Sequence, residues 1–235
     1  MRALCVAKMP GQPGIFVYWL IMRIQIISLF PEVFKPMLNS SMLFKASKNK
    51  LASFEYLNLR DFGLGPRRSV DDTPYGGGDG MLLMVEPLVK AIEKAKENDP
   101  KAVVILPTPR GQEYKQSEAI ELATKEGLII ICPHYEGYDE RVTNWVDKQY
   151  SIGNYVLTGG ELPAMAIIDS VVRLIPGVLG GVDSAANESF QSDDQNIEHP
   201  HYTRPEDFRG LQVPEVLLSG HHQKIKKWRD QNSHR

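Results

Sequence analysis

Residues 151–180 read SIGNYVLTGGELPAMAIIDSVVRLIPGVLG, and no other stretch restricts the packing of the chain so strongly. Ile152, Tyr155, Val156 and Leu157 supply strand-forming bulk, so the segment opens as a short strand. Thr158, Gly159 and Gly160 then allow a tight turn with close backbone approach. Glu161, Leu162 and Pro163 start a helix, with proline in the first turn, where its missing N–H costs little. Over residues 164–175 that helix is apolar on most sides: Met165, Ile167, Ile168, Val171, Val172, Leu174 and Ile175. A helix of this kind is buried all round, by its own core or by a partner chain. The spacing predicts a homodimer contact through Met165, Ile168, Val172 and Ile175. Asp169 and Arg173 are the exceptions; four residues apart, they share a face and can pair. Pro176 and Gly177 end the helix.

The remainder alternates in type. Strands are expected over residues 23–30, 54–59, 102–106 and 128–132, and helices over 86–98, 116–126 and 140–147. Such alternation predicts an α/β fold with a mostly parallel sheet. Residues 63–80 are rich in glycine and lack periodicity, which predicts a long surface loop, either simply flexible or closing over a ligand. A domain over residues 22–181 gives way to a polar linker over 182–198. Residues 199–235 are too few for a strong core and are expected to form a small helical domain. Residues 14–22, GIFVYWLIM, are too short to span a membrane. Arg2 and Lys8 precede them as in a signal peptide, but no small-residue cleavage site follows. Residues 1–21 read best as an extension or a mis-set start.

The net charge of −2 hides an asymmetry. Residues 183–198 hold five acids and no Lys or Arg, whereas residues 199–235 hold seven Lys/Arg, four acids and five of the six histidines. Two cysteines are too few for a disulfide framework or a metal knuckle, and fit a reducing, cytoplasmic setting. His199, His201, His221 and His222 raise the question of zinc, but no cysteine or HExxH-type spacing completes a set, so no metal site is assigned. Lys224, Lys226, Lys227 and Arg229 surround Trp228, a pattern suited to phosphates and a stacked base, or to the solvated face of a helix.

Three segments leave strands as loops: LPTPRG (106–111), CPHYEG (132–137) and SIGNYVLTGG (151–160). In an open α/β sheet the ligand site lies beyond the carboxyl ends of the strands. None carries the dinucleotide fingerprint or the lysine of a phosphate loop. A ligand there would be gripped by backbone groups and small residues; otherwise the three are merely tight turns.

GNYVLTGGELPAM and IDSVVRLIPGVLG, with IISLFPEVF, VDDTPYGGGDGMLLMVEPL, HYEGYDERV, HPHYTRPEDFRG and PEVLLSGHH, all in order, resemble the bacterial tRNA (guanine-N1) methyltransferase family, TrmD, of the SPOUT superfamily. The likeness covers residues 22–230. It implies a trefoil-knotted α/β domain that binds S-adenosyl-L-methionine, a homodimer, and methylation of N1 of the guanine beside the tRNA anticodon. It places the cofactor on Leu106, Pro133, Tyr135 and Glu136, and on Ile152, Gly153, Asn154, Tyr155, Val156, Leu157 and Gly160. Guanine N1 carries a proton, so a base is needed. The resemblance gives that role to Glu188, and makes Arg173 the cation that positions the substrate or steadies charge on guanine O6. Asp71, Gly80, Asp169, Lys224 and Lys227 fall on the RNA side. A divalent ion such as Mg2+ is compatible with this chemistry, though nothing identifies its ligands. Three departures stand out: Pro133-His134 where the family has Gly-Arg, Glu188 where it has aspartate, and a short basic tail after Trp228. They are the support for the alternative, an RNA-binding protein that has lost the chemistry.

Overall fold

The computed structural model describes residues 4–8, 16–179, 188–190 and 197–233. Its strands are β1 (Leu4–Lys8), β2 (Phe16–Leu20), β3 (Met22–Ser28), β4 (Ala52–Asn58), β5 (Asp71–Asp72), β6 (Leu82–Leu83), β7 (Val103–Glu113), β8 (Gly127–Ile131), β9 (Lys148–Ser151), β10 (Asp207–Phe208) and β11 (Leu211–Gln212). The α-helices are α1 (Lys35–Leu38), α2 (Ser41–Lys48), α3 (Val85–Asn98), α4 (Gln116–Ala123), α5 (Glu161–Val172), α6 (Glu215–Leu218) and α7 (His222–Gln231).

A five-stranded sheet, ordered β4-β3-β8-β7-β9, is parallel throughout. Parallel neighbours need crossovers, which cover both faces and make the strands read as apolar runs. Side-chain alternation sorts those runs into two layers. Ile24 and Ile26 of β3, Ile105 of β7 and Leu128 and Ile130 of β8 face α2, α4 and α5. Ile27, Val104, Leu106, Ile129 and Ile131 face α3. Gln25 is the polar exception on the α3 side, and its amide donates to the Ala95 carbonyl at 2.9 Å, which satisfies it inside the core.

Two expectations for residues 151–180 need correction. The strand stops at Ser151, and residues 152–160 form an irregular, bent segment, because β-propensity reports fit to a half-buried pleated surface and Val156 here is 93% exposed. The second concerns which face of α5 the single subunit leaves exposed. Ile168, Val172 and Ile175 are consumed by the chain's own core, so they are not available as a partner contact; Met165 is half-buried. Leu162, Ala166 and Asp169 occupy the exposed face. At the amino end, β1 and β2 pair as an antiparallel ribbon where only an extension was expected.

The chain divides into two compact units, Met1–Gly180 and Gly181–Arg235. In the second, β10 and β11 form a two-stranded ribbon and α6 and α7 follow, so the small unit is not purely helical. No helix among the described residues is long and apolar enough to cross a membrane.

Candidate active site

The middle of β7 and the carboxyl ends of β8 and β9 open onto a cavity of about 580 Å³. Its wall is built from two of the loops singled out in the sequence, those after β8 and β9, and from LPTPRG, which was expected to be a loop but lies inside β7. The loop after β8 contributes Pro133, Tyr135 and Glu136, and the loop after β9 contributes Ile152, Gly153, Tyr155, Val156, Leu157 and Gly160. Two predicted cofactor residues lie elsewhere: Leu106 is fully buried in the α3-facing core, and Asn154 is exposed and outside the lining. Thr108, Pro109, Arg110, His134, Tyr138 and Glu140 were not assigned to the site from the sequence, yet they line it. Thr108 to Arg110 sit in LPTPRG, a segment already singled out, although it proves to lie inside β7 and not at a strand end.

The cavity wall is held rigidly. Tyr135 has φ +60°, a left-handed conformation that costs a non-glycine residue energy and persists only when surroundings impose it. Here the imposing contacts are backbone hydrogen bonds: Gly137 N–H to the His134 carbonyl at 3.1 Å, and Glu136 N–H to the Met81 carbonyl at 3.1 Å. Gly160 N–H donates to the Pro133 carbonyl at 2.7 Å, joining the two cavity loops. Pro133 has no N–H to offer, but its carbonyl carries this link.

The glycine-rich loop reaches the same wall. β5 and β6 pair Asp71 with Leu83. Leu83 N–H donates to the Gly137 carbonyl at 3.0 Å, and Asp139 N–H to the Leu83 carbonyl at 2.9 Å. Gly80, with φ +81°, lies so close to the Glu136 side chain that a Cβ there would collide with it. Tyr75, by contrast, is fully exposed. Beside the cavity, the Arg141 guanidinium grips Asp139 through Nε at 2.9 Å and Nη2 at 2.7 Å, which holds that carboxyl below the usual range.

Arg173 caps the carboxyl end of α5 and is half-buried; Asp169 is exposed one turn earlier. Glu188 belongs to the second unit and is half-buried. In that unit Lys224 and Lys227 are exposed on α7, while Trp228 is half-buried and meets His199 and Tyr202 edge-on at 6.1 and 6.2 Å. Among the described residues, Glu198, His199 and His201 form the one group of side chains whose possible metal-ligand atoms converge, all within 4.8 Å; His221 and His222 do not join it. Desolvation, then the neighbouring His201, pulls the His199 imidazole below its ordinary value.

The cavity wall combines prolines, glycines and aliphatic side chains with tyrosines, His134, Arg110 and two glutamates, and holds no lysine. Comparison with known proteins gives the family. Residues 22–235 match the family model described as tRNA (Guanine-1)-methyltransferase TrmD. The tRNA (guanine-N(1)-)-methyltransferase of Carboxydothermus hydrogenoformans is 53% identical over 213 residues, covering 90% of this chain and 83% of that protein. Its counterpart in Bacillus velezensis is 52% identical over 214 residues, covering 90% and 87%. The crystal structure of tRNA (m1G37) methyltransferase from Aquifex aeolicus superposes with a TM-score of 0.74 at 38% identity, covering 88% and 87% of the two chains. The chain therefore belongs to the TrmD family of tRNA (guanine-N1)-methyltransferases.

Proposed function

We propose that this methyltransferase acts on N1 of the guanine next to the tRNA anticodon, with S-adenosyl-L-methionine as donor and Glu188 as general base. The observation that carries the reading is the cavity, where nine of the eleven cofactor residues expected from the sequence converge on one wall. S-adenosylmethionine, when bound, supplies a methyl group on a cationic sulfur. The protein's part is then to bind, orient and manage one proton. The loops at residues 133–137 and 152–160 grip the adenosyl group through backbone and apolar contacts. Glu136 and Gly80, adjacent in the first unit, place the glycine-rich loop beside the reacting face. Glu188 takes the N1 proton, and Arg173 steadies the negative charge that develops on O6.

Domain roles follow the same scheme. Residues 22–181 form the cofactor domain, with the SPOUT-type trefoil knot. Residues 182–198 form the linker that brings Glu188 to the base, and residues 199–235 meet tRNA through Lys224, Lys227 and Trp228. The working unit is a homodimer in the cytoplasm, and Mg2+ assists the transfer. Because Ile168, Val172 and Ile175 lie inside the subunit, the dimer contact falls to the exposed apolar residues Tyr155, Val156 and Leu162. Titration calorimetry with S-adenosylmethionine and S-adenosylhomocysteine tests the cofactor assignment. Micromolar binding of both is expected; binding of neither overturns it.

A further inference from the structure

Glu161 is a first-turn glutamate, a position where acids ordinarily face water and interact with the helix dipole. Here its side chain is turned inward and the residue is only 8% exposed. One carboxylate oxygen, Oε1, accepts a hydrogen bond from Ser28 Oγ at 2.8 Å, where β3 ends. The Ser28 oxygen in turn accepts from Phe30 N–H at 2.9 Å, so the hydroxyl proton is committed to Glu161. The other oxygen, Oε2, lies 3.8 Å from His134 Nδ1. That nitrogen is buried and has no hydrogen-bond partner. The imidazole is flanked by Phe30 and Tyr135, edge-on at 5.0 and 5.3 Å. A Cβ on Gly159 would lie 2.6 Å from His134 Nδ1 and would also strike Glu161 Oε2, so the chain is kept clear of the gap between them. The charge is felt locally: burial pushes the Cys132 thiol well up, and Glu161 adds to the shift.

A buried carboxylate costs stability unless it is paired and hydrogen-bonded. This one touches the ends of β3 and β8 and the start of α5, and His134 itself lines the cavity. We propose that Glu161 is a positioning residue that acts through His134. Its carboxylate keeps the imidazole proton on Nδ1, so the Nε2 lone pair is what His134 offers the cavity, as an acceptor for a donor group of the adenosyl ligand. The logic is that of any histidine whose free nitrogen is set by the bond the other makes. The 3.8 Å gap closes by a small ring rotation, as such contacts do when a site is loaded.

The inference rests on the cavity being the cofactor site, and the experiment separates the two. Nitrogen-15 NMR of imidazole-labelled protein, with His134 assigned through His134→Gln, reads the tautomer without any ligand. Protonation at Nδ1 is expected in the wild type. Glu161→Gln keeps an oxygen for Ser28 but turns an amide donor toward Nδ1, so the proton should move to Nε2. S-adenosylmethionine KM should rise about tenfold with kcat changed by less than about twofold, and tenfold corresponds to about 1.4 kcal/mol. In the His134→Gln background, Glu161→Gln should change KM by less than about twofold. Protonation of wild-type His134 at Nε2, or an equal KM increase by Glu161→Gln in both backgrounds, would overturn the proposal. Absence of cofactor binding to the wild type would overturn the cavity assignment, and the tautomer would still be read.

Discussion

Gly160→Ala should damage the site more than its chemistry suggests. Gly160 has φ −82° and ψ −2°, a right-handed conformation that alanine adopts without strain. The obstacle is space. An added Cβ would lie 2.7 Å from Pro133 N and 2.8 Å from Cys132 Cα, distances that real Cβ atoms do not reach. Both neighbours are backbone, so no rotamer change relieves the clash. Cys132 and Ala164 are buried beside it, so α5 and the loop after β8 must separate. Separation stretches the 2.7 Å hydrogen bond from Gly160 N–H to Pro133 C=O, which joins two walls of the cavity. Overpacking of this kind costs about 1–3 kcal/mol. For a chain of this size, 1 kcal/mol is worth about 2–4 °C, so Tm should fall by about 2–12 °C. Cofactor affinity should fall by about tenfold or more, because the displaced loops line the pocket. Calorimetry of unfolding and of S-adenosylmethionine binding reads both effects. Gly76→Ala, at φ +88° with nothing within 4 Å of the added methyl, supplies the converse case, backbone strain without a clash. A Gly160→Ala protein with wild-type Tm and wild-type affinity would refute the packing argument.

Arg173→Ala should abolish methylation and leave the fold intact, as followed by tRNA methylation and circular dichroism; a near wild-type rate would reduce Arg173 to a helix-end cation. Glu188→Gln should lower single-turnover methylation by about 100-fold with cofactor affinity unchanged, and equality with wild type across pH would move the base elsewhere. Light scattering should give a dimer of the 26.5 kDa chain at micromolar concentration; a monomer would refute the assembly. Burial pushes the Tyr114 phenol up to about 12 from 10.0, partly opposed by its Ser170 hydrogen bond at 2.7 Å. Between those values the unfolded chain has lost a proton that the folded chain retains, so stability falls as pH rises through that window. Tyr114→Phe should flatten part of the decline in denaturant midpoint from pH 10 to 12, and an unchanged slope would contradict it.

The parallel sheet was legible because crossovers bury both of its faces, which makes β8 an unbroken apolar run and β3 a mostly apolar one, interrupted at Arg23 and Gln25. The cavity was legible for a related reason: loops that leave parallel strands at their carboxyl ends cluster, so the loops after β8 and β9 pointed to one place, while LPTPRG reaches it from within β7. Exposure within residues 151–180 was not. Ile168 and Val156 look alike as apolar residues, yet one is fully buried and the other 93% exposed. Periodicity can nominate an apolar face, but which apolar residues the subunit uses for itself depends on where α5 lies against the sheet, a long-range fact absent from the local pattern.

Glu161 shows the same limit on the polar side. In sequence it is one of many acids in the first turn of a helix, with a ready explanation in the dipole. Its inward turn depends on Ser28, 133 positions away, offering a hydroxyl at the end of β3. It depends also on His134 at the end of β8, and on the absence of a side chain at Gly159. Three features, Ser28, His134 and Gly159, are thus needed before one carboxylate can be buried. The glycine pair ahead of α5 is then explained twice over, and by space both times. Gly160 admits the backbone of Cys132 and Pro133; Gly159 leaves the gap between Glu161 and His134 open. Neither argument needs the turn flexibility that Gly-Gly suggests on its own.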